Sequence, residues 1–145
     1  MIGRREVLGG LVLGALQPAV ARAQDGEMKM RIRIAFGTLS FTATLEDDNA
    51  SARELATMLP LELTISDFGG NEKIAYLPRK LTALVRGPIS DAAPGDLCYY
   101  VPWGNLAFFH GSYESTRYLV RLGRLDDGVA PLLVRGEFPL RIERI

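Results

Sequence analysis

The chain has 145 residues, 48% hydrophobic and 23% charged, with 17 basic residues balanced by 17 acidic ones. That composition belongs to a globular protein and not to a disordered tail, and its neutrality gives no electrostatic case for gripping a phosphate backbone. Cys98 and His110 are the only cysteine and histidine, so an intramolecular disulfide and a zinc-type cluster of thiolates and imidazoles are both excluded, and no metal or cofactor is expected.

Arg4 and Arg5 precede an apolar run from Val7 to Val20, followed by Ala21, Arg22 and Ala23. A basic start, a hydrophobic middle and a small-x-small end predict a cleaved export signal over residues 1–23. The run is too short, and too broken by Gly9, Gly10, Gly14 and Pro18, for a bilayer span, which takes about 20 apolar residues. The protein is therefore expected in the periplasm or secreted, with the adjacent arginines also fitting the twin-arginine route. No stable membrane span is expected after cleavage, and the mature chain becomes slightly acidic because the signal carries off Arg4, Arg5 and Arg22 against Glu6 alone.

A short leader over residues 24–28 gives way to one domain over residues 29–145. Met30, Ile32, Ile34 and Phe36 alternate with Arg31 and Arg33, the period of a half-buried strand. Gly37 and Thr38 turn the chain into Leu39, Phe41, Ala43 and Leu45, which repeat the period and predict a hairpin. After Asp47 and Asp48 the apolar residues recur at helical spacing, at Ala52, Leu55, Ala56 and Leu59, which predicts one short helix from Ser51 to Leu59. Ser51 and Glu54 have the spacing of a capping box, Asn49 offers another start, and Pro60 ends the segment.

Leu61, Leu63 and Ile65 resume the strand period, and Gly69 and Gly70 turn into Ile74 to Leu77. A short edge strand is predicted over Thr82 to Val85, then a loop through the run from Ser90 to Gly95. Leu97 to Val101 and Leu106 to Phe109 read as strands around the turn Pro102-Trp103-Gly104. Leu119 to Leu125, a short strand over Leu132 to Val134, and Leu140 with Ile142 complete the series. Many strands, one helix and no alternation of strands with helices predict a mainly β fold, a compact antiparallel barrel of about eight strands with the helix packed across it.

The stretches Asn71 to Leu81 and Pro94 to Phe109, supported in order by Thr57 to Leu61, Leu122 to Leu125 and Leu140 to Glu143, carry a family likeness. The chain resembles the small bacterial cyclophilin-like family, whose members have a compact cyclophilin-type barrel and a largely unassigned function. Cyclophilins proper are prolyl isomerases, and the resemblance places Arg79 at their catalytic arginine and Phe109 at a pocket phenylalanine. It departs from them elsewhere: the glutamine-glycine-glycine-aspartate run after the arginine strand is missing, and Tyr99, Tyr100 and Val101 replace a methionine-alanine-asparagine motif.

A prolyl isomerase needs an apolar socket and a donor that stabilises the twisted amide. Arg79 is the candidate donor, and Tyr76, Tyr100, Trp103, Asn105 and Phe109 are the candidate ligand-binding residues. Three readings stand: a noncatalytic module for an extended peptide or small molecule, a weak prolyl isomerase, and a structural interaction protein without a pocket. His110 with Ser112 and Glu114 does not make a triad by adjacency, and Asp47, Asp48, Asp126 and Asp127 read as caps and turns rather than a calcium site. The sequence leaves the oligomeric state open.

Overall fold

A computed structural model describes residues 30–85 and 87–145. The export signal at 1–23 and the leader at 24–28 lie outside the described residues. Strand β1 (Met30–Phe36) pairs with β2 (Leu39–Leu45), helix α1 (Ala50–Thr57) follows, and β3 (Leu61–Phe68) runs into β4 (Glu72–Tyr76). Then come β5 (Asp96–Tyr100), β6 (Asn105–Phe109), β7 (Leu119–Leu125), a 3-10 turn (Ala130–Leu133) and β8 (Phe138–Arg144). The strands close into an antiparallel barrel in the order β1-β2-β7-β5-β6-β4-β3-β8. Among the described residues closure leaves no strand at a sheet edge, which removes the template for edge-to-edge association.

Alternation decides what fills the barrel. Ile32, Ile34 and Phe36 of β1 point inward and are essentially fully buried, while Arg31 and Arg33 stay in water. Gly37 makes the β1–β2 turn at a φ of 59°, a conformation open to glycine without steric cost. Gly123 on β7 meets a second demand: a Cβ there would fall 2.3 Å from the Thr44 carbonyl oxygen, so only glycine lets β7 lie this close to β2.

Helix α1 joins the barrel core through Ala52, Leu55 and Ala56, and burying a leucine such as Leu55 contributes about 2 kcal/mol. The cap is Asn49, whose Oδ1 accepts from the Ala52 N–H at 3.1 Å. The Ser51–Glu54 capping box does not form. Both side chains reach instead to the segment after Arg79: Ser51 donates to the Ala83 carbonyl and accepts from the Val85 N–H at 3.0 Å. Glu54 accepts from the N–H groups of Thr82 and Ala83 and from the Arg79 guanidinium. Residues 82–85 are consequently not an edge strand, because side chains of the helix satisfy the backbone groups a neighbouring strand would take. Residues 130–133 likewise form a 3-10 turn rather than a strand, with Pro131 at its start and Leu132 buried in the core.

The wall made by β4, β6, β5 and β7 is covered on both sides. Leu97, Tyr99, Leu106, Phe108, Val120 and Leu122 enter the barrel core. Their neighbours Cys98, Ala107, Phe109 and Leu119 form a smaller outer cluster, packed under Ile89, Tyr100 and Tyr113. All five residues of β6 are buried for this reason.

Candidate functional site

Beside that outer cluster the wall opens into a cavity of about 390 Å³, the size of a small-ligand site. Alternation along β4 sends Glu72 and Ile74 outward into it while Lys73 and Ala75 turn into the barrel. Asn105 and Phe109 reach it from β6, Tyr100 from β5, Leu119 from β7, Phe68 from the end of β3, and Trp103 from the β5–β6 turn. Asn71, Tyr113, Glu114 and Thr116 complete the lining.

The aromatic rings are arranged around Trp103, which is 49% exposed. Phe68 stands at 85° to it with centroids 5.6 Å apart, and Tyr100 at 88° and 5.4 Å. Such edge-to-face pairs are favourable because ring faces are negative and ring edges positive. Phe109 and Tyr113 make a second unit, stacked nearly parallel at 3.8 Å.

A polar network behind the wall holds Tyr113. Its hydroxyl donates to Oδ2 of the fully buried Asp96 at 2.7 Å and lies 3.4 Å from the Cys98 Sγ. Asp96 also accepts from the Arg124 Nε at 2.8 Å and the Ala93 N–H at 3.0 Å. Arg121 sits alongside, bonded to Glu46 and Asp91 at 2.7 Å each. Burial, followed by the bonds to Cys98 and Asp96, pushes the Tyr113 phenol up, so it stays a protonated donor. Burial pushes the Cys98 thiol up to about 12 and keeps it inert. On the other flank, the Asn71 carbonyl accepts from the N–H groups of His110 and Gly111, and its Nδ2 donates to the Ser112 carbonyl at 3.0 Å. Both loops over the cavity are thus tied to the barrel.

Two polar groups of the lining lack partners. Asn105 is 2% exposed, and its Nδ2 donates to the Leu106 carbonyl at 3.0 Å while its Oδ1 has no hydrogen bond. Burial raises the Glu72 carboxyl above its ordinary pKa, with no cation holding it down. Among the described residues no lysine, arginine or histidine lines the cavity.

Residues 34–143 match the cyclophilin-like family. The chain belongs to this family. The solution structure of the hypothetical protein AF2241 from Archaeoglobus fulgidus has the same fold, with 20% identity and a TM-score of 0.61 over 83% of this chain and 99% of that one. No curated protein matches the sequence.

In this cyclophilin-like domain the structure gathers Tyr100, Trp103, Asn105 and Phe109 in one cavity. It does not bring Arg79 or Tyr76 there. Arg79 donates to Glu54 and to the Lys80 carbonyl, and Tyr76, at the far end of β4, is 53% exposed. Phe68, Glu72, Ile74 and Leu119 follow from strand alternation once the outer face is seen to wall the cavity. Tyr113 and Glu114 come from a loop whose path no periodicity announces. No hydrogen bond joins His110 to Ser112 or Glu114 among the described residues; the His110 Nε2 is buried without a partner, and burial followed by the Lys73 charge lowers its pKa. Asp126 accepts from Thr42, Thr44 and Arg31, and no group of three metal-ligating side chains occurs among the described residues. No helix there is long and apolar enough to cross a membrane.

Proposed function

We propose that this cyclophilin-like domain is a noncatalytic binding module that takes an extended peptide segment or a small molecule into the outer-wall cavity. The observation carrying the reading is the convergence of Phe68, Tyr100, Trp103 and Phe109 on one opening whose flanking loops are pinned to the barrel. Pre-organised aromatic surface binds without a large ordering cost. Isomerisation asks for more, because a donor must favour the twisted amide over both planar forms. Arg79 is engaged by Glu54, and the charged groups lining the cavity are the carboxylates of Glu72 and Glu114, which accept and do not donate when ionised. The proposal includes export to the periplasm or beyond on the strength of the signal at 1–23, and N-terminal sequencing of the mature protein near Gln24 tests that part.

A proline-peptide panel read by two-dimensional NMR tests the module. The expected result is shifts at Trp103, Phe109 and their neighbours with no gain in cis/trans exchange. Enhanced exchange moves the assignment to a prolyl isomerase. No shifts with any peptide or small molecule leave a structural interaction protein.

A further inference from the structure

The cavity's rings and charges together narrow the chemistry of what it holds. Resting on the binding reading above, we infer that the group seated in the cavity is an organic cation, an ammonium or guanidinium, packed against Trp103 and its perpendicular neighbours with Glu72 as its counter-charge.

Three observations carry this. First, Trp103 is 49% exposed in the cavity lining, and Phe68 and Tyr100 stand at 85° and 88° to it, so the three rings are not one parallel stack. The π face of a ring attracts a cation within about 6 Å of its centroid, most strongly for tryptophan. Second, the cavity has negative charge and no positive charge among the described residues: Glu72 and Glu114 line it, and Glu72 sits directly across the ladder from Phe109, whose ring stacks on Tyr113. Third, Glu72 lines the cavity with no hydrogen-bond donor among the described residues, and burial raises its pKa. An apolar group pressed against Glu72 would desolvate its carboxylate without supplying a donor, at a cost. An anion would meet Glu72. A cation with N–H donors supplies both the counter-charge and the hydrogen bond that Glu72 lacks.

The nearby basic residues are committed elsewhere. Lys73, next to Glu72 in sequence, points into the barrel, fully buried, and bonds Asp67 at 2.8 Å. Lys80 donates to the Pro102 carbonyl, Arg121 and Arg124 serve Glu46, Asp91 and Asp96, and Arg79 serves Glu54. Arg117 lies 4.9 Å from the centre of the Tyr118 ring, which itself packs edge-on against Tyr100. The outer end of the same aromatic row therefore already carries a guanidinium on a ring face.

Trp103 is the only tryptophan of the chain, so its emission reports on the cavity directly. The mature protein is titrated with blocked Gly-Xaa-Gly peptides in which Xaa is lysine, arginine, norleucine or glutamate, and with tetramethylammonium. The lysine or arginine peptide is expected to bind at least about fivefold more tightly than the norleucine peptide, and the glutamate peptide not at all. The Glu72→Gln/Glu114→Gln double variant, with its fold checked by circular dichroism, is expected to lose that preference while still binding norleucine. Tetramethylammonium binding means that a free cation suffices; binding of the basic peptides alone means that the backbone contributes. Either outcome supports the inference. Equal affinity for the basic and norleucine peptides overturns it and leaves the binding reading intact, as does a preference undiminished in the double variant. Silence toward every probe, the proline panel included, overturns both.

Discussion

Two carboxylates in two regions show how differently this small barrel uses the same group. At the helix, Glu54 is 12% exposed at its side chain and clasps the segment after Arg79, accepting from the Ala83 N–H at 2.7 Å, the Thr82 N–H at 2.9 Å and the Arg79 guanidinium. Burial alone would raise its pKa, but those donors hold it down at about 2. At the outer wall, Glu72 is half-buried without donors, and burial raises its pKa. A saturated carboxylate closes a structure, whereas an unsaturated one beside a cavity costs stability until something arrives to satisfy it.

The comparison breaks most readily at Glu54. Glu54→Ala leaves two backbone N–H groups and a guanidinium without their acceptor, and the expected loss is about 2–4 kcal/mol in urea unfolding. A loss below about 0.5 kcal/mol would mean that water replaces the clasp, as it does at surface ion pairs. The pH dependence follows from the lowered pKa: the contribution is fully present above the ordinary value of 4.5 and disappears as pH falls toward about 2. Glu54→Gln is expected to flatten the acid limb of the stability curve over that interval.

Asn49→Ala sharpens the same region by a smaller amount. It removes the helix cap and the bond from Asn49 Nδ2 to the Arg121 carbonyl, with an expected cost of about 0.5–2 kcal/mol in thermal or urea unfolding. The smallest effect, and the one of opposite sign, belongs to Glu72→Gln. A carboxylate with a raised folded-state pKa favours its protonated form in the fold, so its contribution declines as pH rises through the range between the ordinary and raised values. Removing that charge at pH 7 is expected to leave stability unchanged or raise it by less than about 1 kcal/mol. A loss comparable to that of Glu54→Ala would show that Glu72 is structural, and the contrast between the two regions would fall.

The barrel was legible in the sequence because its signals are local. The alternation of Ile32, Ile34 and Phe36 with Arg31 and Arg33 needs only the two-residue period of a strand. The helical spacing of Ala52, Leu55 and Ala56 is visible in the same way, as are the strands on either side of Trp103. Part of the site was legible too. Tyr100, Trp103, Asn105 and Phe109 stand within ten residues of chain, so one hairpin brings them together whatever the rest of the fold does.

What the sequence alone determined, then, is the mainly β architecture, the inward-facing core and this hairpin's share of the cavity, each set by spacing within a few residues. The tertiary structure decided which partner each polar side chain meets across long stretches of chain. Ser51 and Glu54 have capping-box spacing, yet their oxygens face the backbone of residues 82–85, some thirty positions away, and the cap passes to Asn49. Arg79 is drawn to Glu54 and so never reaches the cavity, while closure of the barrel sets Glu72 of β4 opposite Phe109 of β6 and beneath the loop that carries Tyr113. The physical reason is range: strand and helix periods arise from bonds between near neighbours, whereas a charge binds whichever counter-charge or donor the closed barrel brings within about 3 Å.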